Sequence, residues 1–153
     1  MTEINSDVAN FIVKTIENKL LISYDKDIII DPCASSNNLI SSIGGIISRS
    51  LHFNKTQTYD NVEKLDFLTL DFDKYNKTFL SGLWFDDIHV ISIPDEEFII
   101  EYIEVCSKFA QSISFVLPKK IFIFPDNYKL VYKTDLPLLG PNYMFQIWIK
   151  TDF

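Results

Sequence analysis

The chain has 153 residues, 47% hydrophobic and 23% charged, which suits one domain with a packed core and argues against disorder. Its formal net charge is -7, and no basic cluster exceeds the pair Lys119-Lys120, which argues against nucleic-acid binding by this chain alone. Cys33 and Cys106 are too few for a disulfide framework or a zinc site; with no charged-then-apolar leader and no apolar run near ~20 residues, a soluble cytoplasmic protein is expected.

The first predicted element is a helix over 7–21. Val8, Phe11, Ile12, Thr15, Ile16 and Leu20 recur at helical spacing, and Ser6 or Asp7 can cap the start. Asp27 to Asp31 reads as a strand, a continuous apolar run between acids of the kind covered on both faces in a parallel sheet. Asn37 to Ile43 has room for a short helix before Gly44-Gly45. Strands follow over 46–53, 62–68 and 88–93, the last stopped by Pro94. Glu96 to Phe109 is the clearest helix, with Phe98, Ile99, Tyr102, Ile103, Cys106 and Phe109 as one apolar stripe and Asp95 as its cap. Ser112 to Leu117 makes a fifth strand closed by Pro118, and 128–134 and 144–150 a terminal antiparallel pair around Pro137, Gly140 and Pro141.

Strands alternating with covering elements predict an α/β fold: one Rossmann-like domain with a mostly parallel seven-stranded sheet, reduced helices, a core over 27–150 and a terminal hairpin. Ligands on such sheets bind beyond the C-terminal strand ends at the switch point. The first and fourth strands would flank that point, so "DPCASS" and "SIPDEEF" are where chemistry is expected.

Together these stretches resemble the S-adenosylmethionine-dependent methyltransferases that modify exocyclic amino groups of bases, especially adenine. Asp31, Pro32, Cys33 and Ala34 match the Asp-Pro-Cys/Phe-Ala that opens the family's cofactor loop, while Ser35 and Asn37 stand where the family has glycine. Asp66-Phe67-Leu68 matches the Asp-Phe-Leu that contacts the cofactor's adenine. The catalytic Asn-Pro-Pro-aromatic is replaced by Ser92, Ile93, Pro94 and Asp95. "SISFVLPKKIF" and the last two strands are similar to the family's following strand and terminal hairpin.

The family glycines let backbone amides approach the cofactor without a Cβ in the way. Its Asn side chain and first proline carbonyl accept hydrogen bonds from the target amino group, and its aromatic residue stacks on the flipped base. Here Ser92 can accept one hydrogen bond, Asp95 cannot stack, and the stretch 46–53 offers no acid for the ribose hydroxyls. The resemblance therefore implies a methyltransferase-like domain that has lost its activity: a binding or scaffold subunit, with no cofactor expected and Asp31, Pro32, Cys33, Ala34, Asp66 and Phe67 as vestigial cofactor contacts. A protein partner is expected, with nucleic acid reached only through it. The alternative is an active enzyme using S-adenosylmethionine on adenine or another amino group.

Other residues have structural readings. Asp86-Asp87 and Asp95-Glu96-Glu97 are expected to be solvated or helix-start charges, because neighbouring acids on one strand point apart and do not converge on a metal. His52 and His89 are expected in structural roles. Trp84-Phe85 and Tyr143 to Trp148 offer a partner surface or core. Three alanines and four glycines among many Ile, Asn, Lys and Phe suggest an AT-rich coding sequence of the kind found in giant viruses and some protists; a viral RNA- or cap-handling complex is the partner expected on the first of these.

Overall fold

Ile28, Ile29 and Ile30 alternate between two covered faces, and that fixes the layering of the whole molecule. A computed structural model of the chain describes residues 6–23, 26–34, 48–52, 63–64, 67–69, 71 and 87–151. Among these, the strands are β1 (Ile28–Asp31), β2 (Ser48–His52), β3 (Glu63–Lys64), β4 (Ile88–Ser92), β5 (Ser112–Pro118), β6 (Tyr128–Asp135) and β7 (Tyr143–Lys150). They stand in the order β3-β2-β1-β4-β5-β7-β6. From β3 to β5 neighbouring strands run parallel; β7 is antiparallel to both β5 and β6. The mixed α/β expectation holds, with mostly parallel strands followed by an antiparallel terminal pair.

Helix α1 (Ser6–Lys19) covers one face. Its Val8, Ala9, Ile12 and Ile16 pack with Ile29, Ile91, Val116, Phe145 and Ile147. Helix α2 (Ile99–Cys106) helps cover the other, with Ile99, Tyr102, Ile103 and Cys106 against Ile28, Ile30, Val90, Ile113, Phe115 and Leu117. Successive strand residues point to opposite faces, so the unbroken apolar runs of β1 and β4 follow from having a layer on each side. None of the described helices is long and apolar enough to cross a membrane.

Two elements differ from the sequence reading, and a third resolves between its two readings. In the strand expected over 62–68, the described ladder holds only Glu63 and Lys64, and Phe67–Thr69 form a 3-10 turn. Phe67 leaves the strand direction because it is buried against Tyr102 and Phe109, with ring centroids at 6.0 and 5.8 Å. The helix expected over 96–109 opens as a 3-10 turn at Glu96–Phe98 and is α-helical only through Ile99–Cys106. Its end tightens into three-residue bonds, Lys108 N–H to Val105 O and Phe109 N–H to Cys106 O, while the Ser107 hydroxyl donates to Glu104 O. The aromatic run of β7 is largely core: Phe145 and Ile147 are buried and Trp148 stacks on Phe124 at 4.1 Å. The short helix expected over 37–43 and the Trp84-Phe85 pair lie outside the described residues.

Candidate functional site

The chain passes from β1 outward to β2 and β3, then returns to β4 on the other side of β1. The C-terminal ends of β1 and β4 therefore border the switch point, where open α/β sheets bind ligands. Ile30 pairs with Val90 across these strands, which brings Asp31 beside Ser92. The two stretches singled out in the sequence meet there.

They meet by bonding to each other. The Ser92 hydroxyl donates to Asp31 Oδ1 at 2.5 Å, and the same oxygen accepts the Cys33 N–H at 3.2 Å. Ser92 is 1% exposed and Asp31 3%. Loss of water raises the Asp31 carboxyl to a pKa of about 7, against the opposing pull of the Ser92 hydroxyl and the Cys33 amide. A second tie lies alongside. The Cys33 thiol is buried, which pushes its pKa up to about 11 although Tyr102 and the Asp95 backbone hydrogen-bond to it. Such a thiol is an inert packing group rather than a nucleophile. Pro32 and Ala34 are buried as well.

The rest of the fourth-strand stretch has local work. Asp95 caps the 3-10 turn, its Oδ1 accepting the Glu97 N–H at 3.2 Å. Ile93, Pro94, Asp95 and Glu96, with Val116, Pro118 and Tyr143, line a cavity of about 260 Å³. The Tyr143 hydroxyl donates to Glu96 Oε1 at 3.2 Å, so the acids on this rim are Asp95 and Glu96. Phe67 faces the core, and Asp66 lies outside the described residues. Among the described residues, no three His, Cys, Asp or Glu side chains gather as a metal site.

At the opposite end of the sheet the structure assembles a trio that the sequence did not announce. His89 Nε2 lies 3.0 Å from Asp27 Oδ2, and His89 Nδ1 lies 2.7 Å from Ser112 Oγ. The register explains it: His89 pairs directly with Ser112 across β4 and β5. Asp27 Oδ2 also accepts the Ser23 N–H at 3.0 Å. A cavity of about 370 Å³ borders His89 and Ser112, yet Ser112 is only 1% exposed. A serine so enclosed cannot reach a substrate carbonyl; the trio joins the turn before β1 to β4 and β5. The structural reading of His89 therefore has a mechanism. The side chain of His52, in β2, lies outside the described residues.

With this geometry in place, the chain can be set beside known proteins. No family model matches the sequence, and no curated protein matches it. Among solved structures, the 23S rRNA methyltransferase ErmE superposes with a TM-score of 0.61 at 10% identity, covering 96% of this chain and 68% of the other. The fold is a methyltransferase fold. The Escherichia coli protein yhhF, assigned as a methyltransferase, agrees, with a TM-score of 0.59 at 11% identity over 95% of this chain and 84% of that one. Within this methyltransferase fold, the Asp31–Ser92 pair occupies the switch point.

Proposed function

We propose that this chain is a methyltransferase-fold protein that no longer transfers methyl groups and serves as a binding or scaffold subunit of a larger complex. The observation that carries the reading is the Asp31–Ser92 hydrogen bond. It uses the polar groups at both strand ends of the pocket on each other and buries them. Ser92 stands where an amino-methyltransferase holds its target nitrogen, and its proton is committed to Asp31. Asp95 stands where the stacking aromatic belongs and is committed to capping. The described residues do not fit S-adenosylmethionine: a ligand amine needs a free carboxylate, and Asp31 offers a buried, internally bonded one.

The net charge of -7 and the acids on the cavity rim favour reaching nucleic acid through a basic partner rather than directly. The AT-rich style of the sequence supports a viral RNA- or cap-handling complex in the infected-host cytoplasm as the setting.

Transfer of a radiolabelled methyl group from S-adenosylmethionine to adenine-containing RNA and DNA tests the loss of activity. No incorporation above the heat-killed control is expected. Incorporation that disappears in D31A would establish an active enzyme instead.

A further inference from the structure

Strands β5 and β6 are both antiparallel to β7, so they run parallel to each other and the link between them must travel the length of the sheet. Residues 119–127 make that crossing. Seven residues of β5 span roughly 20 Å or more, whereas nine residues would cover about 14 Å as a helix and about 30 Å extended. The crossing is therefore extended, and its side chains alternate as in a strand. Phe122 packs on the core cluster and Phe124 is buried against Trp148. Ile121 and Ile123 are 96% and 87% exposed.

Among the described residues, this strand-like segment has no ladder partner. From Ile121 to Phe124, no backbone N–H or C=O bonds to any described residue. The outermost strand on that side is better guarded: β6 turns Lys129, Val131, Lys133 and Asp135 to solvent, and such charges keep an edge from pairing. The segment Ile121–Phe124 carries no charge at all. Lys120 precedes it and Asp126 follows it, both exposed.

That arrangement is self-complementary. We propose that residues 121–125 pair antiparallel with the same residues of a second copy, placing Ile123 opposite Ile123, Phe122 opposite Phe124, Ile121 opposite Pro125, and Lys120 opposite Asp126. An isologous two-fold pairing makes each of these contacts, the central one excepted, twice. The charges choose the register: a shift that centres on Phe122 would set Lys120 against Phe124 and leave Asp126 unmatched. The ladder is short, so the dimer is a weak one, with a dissociation constant on the order of tens of micromolar. The pairing does not depend on the loss of methyl transfer, and neither result bears on the other.

Sedimentation velocity of the full chain from about 2 to about 200 µM tests it. The weight-average mass is expected to rise with concentration towards twice the monomer. I121K/I123K is expected to stay monomeric throughout with an unchanged circular dichroism spectrum and melting temperature, since both positions face solvent. K120D should weaken the dimer and K120D/D126K restore it. A wild type that stays monomeric at the highest concentration would overturn the proposal, as would an I121K/I123K variant that dimerises like the wild type. Failure of K120D/D126K to restore association would overturn the register.

Discussion

Asp31 shows how one residue's surroundings decide what it can do. Its carboxyl keeps a proton to about pH 7 because burial disfavours the charge more than Ser92 and the Cys33 amide favour it. In the unfolded chain it ionises near 3.8. Between those values the folded state holds the extra proton, so this group's contribution to stability is fully present below about 3.8 and is lost as pH rises through about 7. Three pH units correspond to an effect on the order of 4 kcal/mol. Asn at this position has no proton to lose. The stability of wild type minus that of D31N, from urea unfolding at pH 4 to 8, is therefore expected to fall by roughly that amount. A difference that stays flat across this range would mean that Asp31 is ionised in the fold. The sequence displayed Asp31 and Ser92 separately, each at a predicted strand end. Their mutual bond was not readable there, because it depends on the register of β1 against β4 across 61 positions of sequence.

At the scale of elements, the legible strands were those whose boundaries have a local physical cause. Aspartates flank the β1 run, and Pro94 and Pro118 close the β4 and β5 regions. The elements misread were those set by distant contacts. Phe67 turns out of the expected third strand to meet Tyr102 and Phe109 from α2 and the turn after it. The crossing at 119–127 follows from the placement of β7 between β5 and β6, which no local pattern announces. The His89 trio belongs to the same class: Asp27 and Ser112 lie 62 and 23 positions away in sequence. It fastens three strand starts at once. Among the described residues, removing the imidazole leaves the buried Asp27 side chain with only the Ser23 amide, so H89A is expected to cost on the order of 3 kcal/mol in urea unfolding. S112A, which leaves the Asp27 contact intact, should cost only about 1 kcal/mol. Equal costs for the two variants would place the weight of the trio on the serine side instead.

For the molecule as a whole, frame and function separate. The α/β layering and the parallel-then-antiparallel sheet persist at 10% and 11% identity to the two methyltransferase structures. Folds outlast the sites grafted on them, because a core needs only apolar residues at the right period whereas a site needs particular atoms. Here the apolar periods of β1, β4, β5, α1 and α2 are intact, and the polar atoms at the switch point bond to one another. The central claim is that this pocket has been given up as a cofactor site. Isothermal titration of the wild-type chain with S-adenosylmethionine and with its demethylated product tests it most directly. The account predicts no saturable heat up to about 1 mM of either compound. Saturable binding in the micromolar range would contradict it.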